Sequence, residues 1–351
     1  MITSKTMLLA AVLTGTVLTG CSMCDQDIEP CVTTYRLKFK YDHNMKYADA
    51  FPNEVGSVAV WAFDQSGKPV WHHTESGEAL ASDGYSVEIP LPVGKYDFVS
   101  WCGLSDDEAF SVETYEPKSK EDLVVHMNFA KNRADAETDE HSMKMEGLYH
   151  NLSEGVELSY DSVKHHTQTV TVPLIKDTNY IKVLLQNLSG KEIKKEDFSF
   201  YITADTRSML HDNTPVAGEP YRHTPWNVSQ GMTNTPDIPD PELPGYAGGT
   251  IDAVSTLLAE FHTGRLMADG KNMLVVHRNT DNKDVVRIPL IEYLLLVKGH
   301  YRTMSDQEYL DRSDEHDLIF VLDENLEWAL TFGLYINSWR IVPPQGDKVH
   351  P

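Results

Sequence analysis

The sequence predicts an all-β protein built as two sandwiches in tandem, with one short helix near the C-terminus. Period-two alternation of apolar and polar residues recurs along most of the chain, turn chemistry separates the alternating runs, and helical periodicity is scarce. A chain of 351 residues has room for two such domains.

The runs, taken in order, justify that reading. In Val32 to Asp42, Tyr35, Leu37, Phe39 and Tyr41 alternate with Arg36, Lys38 and Lys40, the pattern of a half-buried strand. SVAVWAF at 57–63 is a more apolar strand, and DQSG at 64–67 is a turn. YSVEIPL at 85–91 alternates again. It leads into PVGKYDFVSWCG, where Pro92 and Gly94 turn the chain and Tyr96, Phe98 and Ser100 lie opposite Val99 and Trp101. A Pro-x-Gly-Lys-Tyr turn into a strand resembles transthyretin-like and carboxypeptidase-regulatory-like sandwiches. LVVHMNF at 123–129 reads as a later strand of the same sandwich. Residues 130–160 are charged and mixed, which sets a boundary near their end, giving an N-terminal sandwich over 32–165 and a C-terminal one over 166–351.

The second sandwich opens with QTVTVPL at 168–174, YIKVLLQ at 180–186 and FSFYIT at 198–203. Residues 212–249 are dense in Pro, Gly, Asn and Thr and predict a long irregular loop carrying Trp226 and Tyr246. LLAEFHTGRLM, NMLVVHR and VVRIPL continue the domain, and IEYLLLV at 291–297 reads as a buried turn of helix. Ser305 and Glu308 have capping-box spacing, so a short helix is expected from Asp306 to about Arg312. LIFVL at 318–322 and WALTFGLYI at 328–336 read as the last two strands.

Between Lys5 and Cys21 lie fifteen uncharged residues rich in Leu, Val, Thr and Ala. The run is shorter than the roughly 20 residues of a spanning helix and fits the apolar core of a secretory signal. Its ending, Leu18-Thr19-Gly20-Cys21, resembles the bacterial lipobox, where cleavage precedes an acylated cysteine. That resemblance implies a signal over 1–20, a lipoprotein beginning at acylated Cys21, and a tether over 21–31. Several acyl chains hold a protein firmly on a bilayer where one does not. Asp25, Asp27 and Glu29 resemble the acidic tether of surface-exposed Bacteroidales lipoproteins. An ordinary signal peptide is the alternative, and both readings place the domains outside the cytoplasm.

The formal net charge of −23 excludes a nucleic-acid partner, because phosphate contacts need basic clusters. It also leaves the lipid, not electrostatics, to hold the protein at an anionic surface. If Cys21 is acylated, Cys24, Cys31 and Cys102 remain, enough for one disulfide and a spare thiol. Cys31 with Cys102 is the preferred bridge, since each stands beside an expected strand of one domain; Cys24 with Cys31 is the rival. Cys21 and Cys24 form a CxxC without the βαβ surroundings of a redox motif.

Local signatures of hydrolytic, metal or nucleotide chemistry are missing: there is no GxSxG, HExxH, P-loop or GxGxxG. No catalytic residue, metal or cofactor is expected. In His72-His73 and His165-His166 neighbouring side chains would point to opposite faces of a strand, a poor chelate. Asp237, Asp240 and Glu242 match no known calcium loop. Asp161-Ser162-Val163 resembles the Bacteroidales O-glycosylation sequon, with Ser162 as acceptor.

Several segments together resemble the FimB-type fimbrial anchor and accessory lipoproteins of Bacteroidales: DQDIEPC, LKFKYDHNMKYADAF, SVAVWAFDQSGKPV, PVGKYDFVSWCGL, VPLIKDTNYIKVLLQN, FHTGRLM, NMLVVHR, IPLIEYLLLVKG, SDQEYLDR and INSWRIV. They span nearly the whole chain after Cys21; the one departure is Pro30-Cys31-Val32, where the family often has Pro-Cys-Pro. The resemblance implies two transthyretin-like Greek-key sandwiches and a non-enzymatic role at the base of a surface fimbria. In that role the protein is an outer-membrane, surface-exposed lipoprotein whose partners are fimbrial stalk subunits, joined by strand complementation, and it limits fibre length. An accessory or tip-like place in the same fibre stays open. So does a surface lipoprotein that binds glycan or host protein through Trp226, Tyr246 and their loop.

Overall fold

The structure, a computed structural model, describes residues 33–106, 108–128, 140–142, 144–160, 166–233, 253–331 and 333–341. In chain order the strands are β1 (Thr34–Lys40), β2 (Ser57–Asp64), β3 (Pro69–Ser76), β4 (Val87–Ile89), β5 (Gly94–Cys102), β6 (Phe110–Val112), β7 (Val125–Met127), β8 (Glu140–His141), β9 (Tyr149–Leu158), β10 (Thr167–Pro173) and β11 (Ile175–Lys176). They continue as β12 (Thr178–Asn187), β13 (Phe198–Met209), β14 (Pro215–His223), β15 (Asn227–Thr233), β16 (Val254–Gly264), β17 (Met273–Arg278), β18 (Lys283–Pro289), β19 (Glu315–Leu322), β20 (Leu334–Ile336) and β21 (Trp339–Arg340). The α-helices are α1 (Phe51–Glu54), α2 (Leu290–Leu296) and α3 (Asp306–Arg312).

Two β-sandwiches result. In the first, a sheet ordered β10-β1-β4 faces a sheet ordered β11-β9-β5-β2-β3. Leu37 and Phe39 of β1 meet Val60 and Ala62 of β2 and Phe98 of β5 in the core between them. The other face of the larger sheet is buried as well: Trp61, Phe63, Val99 and Trp101 pack against Phe110, Val112, Leu123, Val125 and Met209. Burial on both faces explains why SVAVWAF is almost continuously apolar where β1 alternates. Gly103 ends β5 at φ +92, and a Cβ there would meet the Gly147 carbonyl oxygen, so only glycine lets these two segments approach.

In the second sandwich a sheet ordered β15-β16-β12-β19-β20-β21 faces a sheet ordered β18-β17-β13-β14-β8. Strict alternation in β12 and β16 places Ile181, Val183, Leu185, Leu257, Ala259 and Phe261 in one core with Phe198, Phe200 and Ile202 of β13. Helices α2 and α3 close one side of that core through Leu290, Ile291, Leu294, Tyr309 and Leu310.

Tertiary pairing corrects several expectations. The strand at 168–174, expected to open the second sandwich, is β10 and pairs in parallel with β1 from Thr34–Thr167 to Lys40–Pro173, so it belongs to the first. The strand at 123–129, expected in the first sandwich, is β7 and pairs with Ser208 and Met209 of β13 in the second. Alternation marks a strand but not the edge it joins. Strands β3, β6 and β9 were not expected; β9 lies in the charged stretch taken for a boundary, where it is the central partner of β5 and β11. Residues 215–223 and 227–233 of the expected irregular loop are strands β14 and β15. WALTFGLYI is a strand only over Leu334–Ile336, with Trp328 making an isolated bridge to Leu322. The helix at 306–312 forms as expected, with the Ser305 hydroxyl accepting from the Glu308 amide. The Glu308 carboxylate turns instead to Arg312, 3.0 Å away, leaving the capping box half made. Two further helices, α1 and α2, accompany it, and none of the described helices is long and apolar enough to cross a membrane.

Candidate partner-docking edge and the seam behind it

Strand β13 is the place where a sheet is left incomplete. The Asn279 amide donates to the Asp197 carbonyl at 2.8 Å, and Ser199 and Tyr201 stand opposite His277 and Val275 of β17. Residues 197, 199 and 201 therefore direct their backbone groups toward β17, and Phe198, Phe200 and Ile202 direct theirs to the other side. There Ile202 meets His223 at the end of β14. Continued pairing would set Phe200 opposite Pro225, which has no amide to give. The chain leaves at this point: the Trp226 amide donates to Glu260 in the other sheet at 2.9 Å, and Asn227 starts β15. The Phe198 amide is taken by the Lys195 carbonyl. The Phe198 carbonyl and both backbone groups of Phe200 thus face a side with no strand partner among the described residues.

A groove of about 670 Å³ opens beside this edge, lined by Lys195, Tyr201, Arg222, Pro225, Val228 and His277, among others. The Arg222 guanidinium lies 4.2 Å over the Tyr201 ring and holds one wall. Val228, half-buried against the core, is the apolar floor. An edge with unpaired amide and carbonyl groups, flanked by a groove, is the geometry that accepts an extended chain as an additional strand.

The two sandwiches meet in a polar seam. Lys176 Nζ lies 2.6 Å from Asp314 and 3.3 Å from Glu54. Burial alone would lower the Lys176 pKa, but the two carboxylates raise it, so the ammonium is held charged. Arg265 grips Asp311 with Nε and Nη2 at 2.8 and 2.7 Å, and Nη1 donates to the Asn213 carbonyl at 2.9 Å. Asp177 accepts from Asn213 Nδ2 at 2.9 Å and lies 3.7 Å from Arg265 Nε. Its Oδ2 has no partner, and burial pushes its pKa up to about 7 in spite of the guanidinium. A backbone bond crosses the seam as well, from the Met45 amide to the Arg312 carbonyl at 3.1 Å. The segments YDHNMKYADAF, PLIKDTN, FHTGRLM and SDQEYLDR, far apart in sequence, supply Met45, Lys176, Asp177, Arg265, Asp311 and Arg312. Asn44 and Asp49 shape the first of them, bonding Tyr41, Ala48 and Phe51 within the loop.

Of the site residues expected from sequence, Cys21, Cys31, Ser162 and Tyr246 lie outside the described residues, as do Cys24, His165, Asp237, Asp240 and Glu242. Cys102 carries a free thiol, buried at the end of β5 in the core of the first sandwich, and burial pushes its pKa up. Trp226 is not on a loop tip: it is the half-buried residue just before β15, with His262 edge-on at 6.0 Å. His72 and His73 point to opposite faces of β3, His72 stacking on Trp61 at 4.9 Å. Among the described residues no three His, Cys, Asp or Glu side chains converge as a metal would need. Sequence reasoning missed the β13 edge; the signal for it was Thr224-Pro225, a proline set to end strand pairing at that point.

Two sandwiches that meet in a polar seam, with an open strand edge, define an all-β protein of tandem sandwiches. The chain belongs to the family of fimbrillin-A associated anchor proteins Mfa1 and Mfa2, whose profile matches residues 22–343. This is a structural, fimbrium-associated family rather than an enzymatic one. The chain is similar to a candidate adhesin of known structure from Bacteroides thetaiotaomicron, with 30% identity, 90% of this chain and 99% of that one covered, and a TM-score of 0.73. It is also similar to a candidate polysaccharide-binding protein from the same species, with 27% identity, 89% and 99% covered, and a TM-score of 0.70. The fimbrial anchor protein Mfa2 from Porphyromonas gingivalis shares the fold, with 17% identity, 89% and 99% covered, and a TM-score of 0.60. No curated protein sequence matches the chain.

Proposed function

We propose that the chain is the basal subunit of a surface fimbria, held in the outer membrane by acylation at Cys21, and that it takes an extended strand of the neighbouring stalk subunit along the open edge of β13. Membership of the anchor family across both sandwiches carries this reading. The Phe198 carbonyl and the Phe200 amide and carbonyl support the docking mode, since an incoming strand would satisfy those groups and cover Val228. The sandwiches then pass load from fibre to lipid through the Lys176–Asp314 ion pair.

Replacing Cys21 by Ala in the native host, followed by cell fractionation and microscopy of the fibres, tests the anchor. Protein and fibres should leave the cell together. Fibres that stay attached while the protein is released would overturn the reading and leave an accessory role. A photo-crosslinking residue in place of Tyr201 tests the edge separately: it should capture the stalk subunit, and attached fibres without any such product would move the junction elsewhere.

A further inference from the structure

The two ends of the first sandwich differ. At one end β1 and β10 stop at Lys40 and Pro173, and the chain just beyond them carries Met45 and Lys176 to the second sandwich. At the other end, strand pairing sets Thr34 beside Thr167, Gly94 beside Leu158 and Phe63 beside Pro69. The chain from Cys21 enters the fold at this second end, with residues 22–32 between Cys21 and Thr33. Fully extended, that segment spans at most roughly 40 Å.

The same end carries an apolar tip. Between β4 and β5, Pro90-Leu91-Pro92-Val93 crosses from one sheet to the other. Pro90, Pro92 and Val93 are exposed, Val93 by 57%, and Leu91 is half-buried. Val70, exposed by 39%, lies near the start of β3 at this end. The loop is also poor in backbone groups that need water. Pro90 and Pro92 have no amide, and the Pro92 carbonyl accepts from the Tyr96 hydroxyl at 3.1 Å. Apolar side chains on a backbone with few unmet polar groups leave water at small cost.

We infer that the 90–93 loop dips into the surface of the lipid bilayer that holds Cys21, so that the first sandwich stands on this end. This contact rests on the acylation of Cys21 proposed above and adds which face of the protein meets the lipid. The place where the tether joins the fold argues for lipid as the occupant. The loop's own end needs none of the tether's reach to lie on the bilayer, while the opposite end, seven residues of β1 farther on, needs about 23 Å of it. A contact made within one tethered molecule is populated even when it is weak by itself. Charge does not make the contact: Lys68 and Lys95 share this end with Asp64, Glu88 and Glu157, and the net charge of −23 disfavours an anionic surface. Insertion of apolar side chains is what remains. It also keeps the end with Met45 and Lys176, which meets the second sandwich, away from the lipid.

The full chain, purified from the membranes of its host, is reconstituted into phosphatidylcholine vesicles that carry a doxyl quencher on the acyl chain. An NBD-bearing residue replaces Val93 in one preparation and Glu78, exposed beyond β3 at the opposite end, in another. The label at 93 should be quenched at least threefold more than the label at 78, and Pro92→Asp should cut the quenching at 93 at least twofold. All three positions are exposed, so melting temperatures should stay close to the wild type. Protein that floats with the vesicles while both labels are quenched alike, or neither is, overturns the inference and leaves the lipid anchor standing. So does quenching at 93 that Pro92→Asp leaves unchanged. A label at 93 that is blue-shifted but unquenched would mean that protein covers the loop, which also overturns it. Protein that does not float with the vesicles overturns the acylation, and this contact with it.

Discussion

His316 and Asp177 are buried where a charge is costly, and they make stability depend on pH in opposite directions. Both ring nitrogens of His316 lack a partner, and burial lowers its pKa to about 4, opposed by Asp314 and Asp317. Below its ordinary pKa of 6.5 the unfolded chain takes a proton that the folded chain refuses, so stability falls as pH drops from 6.5 to about 4. Asp177 has its pKa raised to about 7 from 3.8, so the unfolded chain ionises first and stability falls as pH rises across that interval. His316→Met should flatten the acid side, leaving the part due to His150, whose pKa burial also lowers to about 4. Asp177→Asn keeps an acceptor for Asn213 and should be more stable than the wild type above pH 7, with the difference fading toward pH 4. Each effect is at most about 3 to 4 kcal/mol, at 1.36 kcal/mol per pKa unit. Melting temperature against pH for the three proteins checks both signs; three superimposable profiles would dismiss the account. Neither burial was legible in the sequence. His316 sits in the alternating run EHDLIFVL at a position where only the tertiary core decides that the ring is dry.

Elements were most legible where a local rule acts alone. Helix α3 was readable from Ser305 through Arg312 because its cap is a contact between neighbours in sequence. Ser305→Ala should cost about 1 kcal/mol, the usual worth of such a cap, read as a lowered urea midpoint with unchanged slope; no loss would mean that Arg312 and Glu308 hold the turn by themselves. Strand β1 was readable because one of its faces is wet. Strand β9 was hidden: its pattern is irregular, with a positive-φ glycine at Gly155 and a register shift against β5 between Tyr96 and Phe98. Strands β14 and β15 were hidden by their Pro and Gly content, which reads as loop although β15 pairs fully with β16. The β13 edge belongs to this scale too, since an edge is a property of the sheet around a strand.

At the scale of the molecule the seam makes two sandwiches behave as one. Arg265 joins Asp311, Asp177 and the Asn213 carbonyl, so Arg265→Ala strands two carboxylates in a buried site. Breaking such a network by removing one partner costs roughly 3 to 5 kcal/mol. Calorimetry should show a lower unfolding transition in Arg265→Ala than in the wild type; a transition at the original temperature would mean that the Gln307 and Asn213 amides hold the two carboxylates by themselves. The all-β class, the strand-rich tandem and the family resemblance were all determined by the sequence alone. Each rests on short-range patterns: alternation, turn chemistry and contiguous segments. Which sandwich owns β7 and β10, where β13 is left open, and how Lys176 and Arg265 meet their carboxylates were decided by the tertiary structure. Those facts depend on which strand lies beside which, and alternation with period two is the same for every possible neighbour.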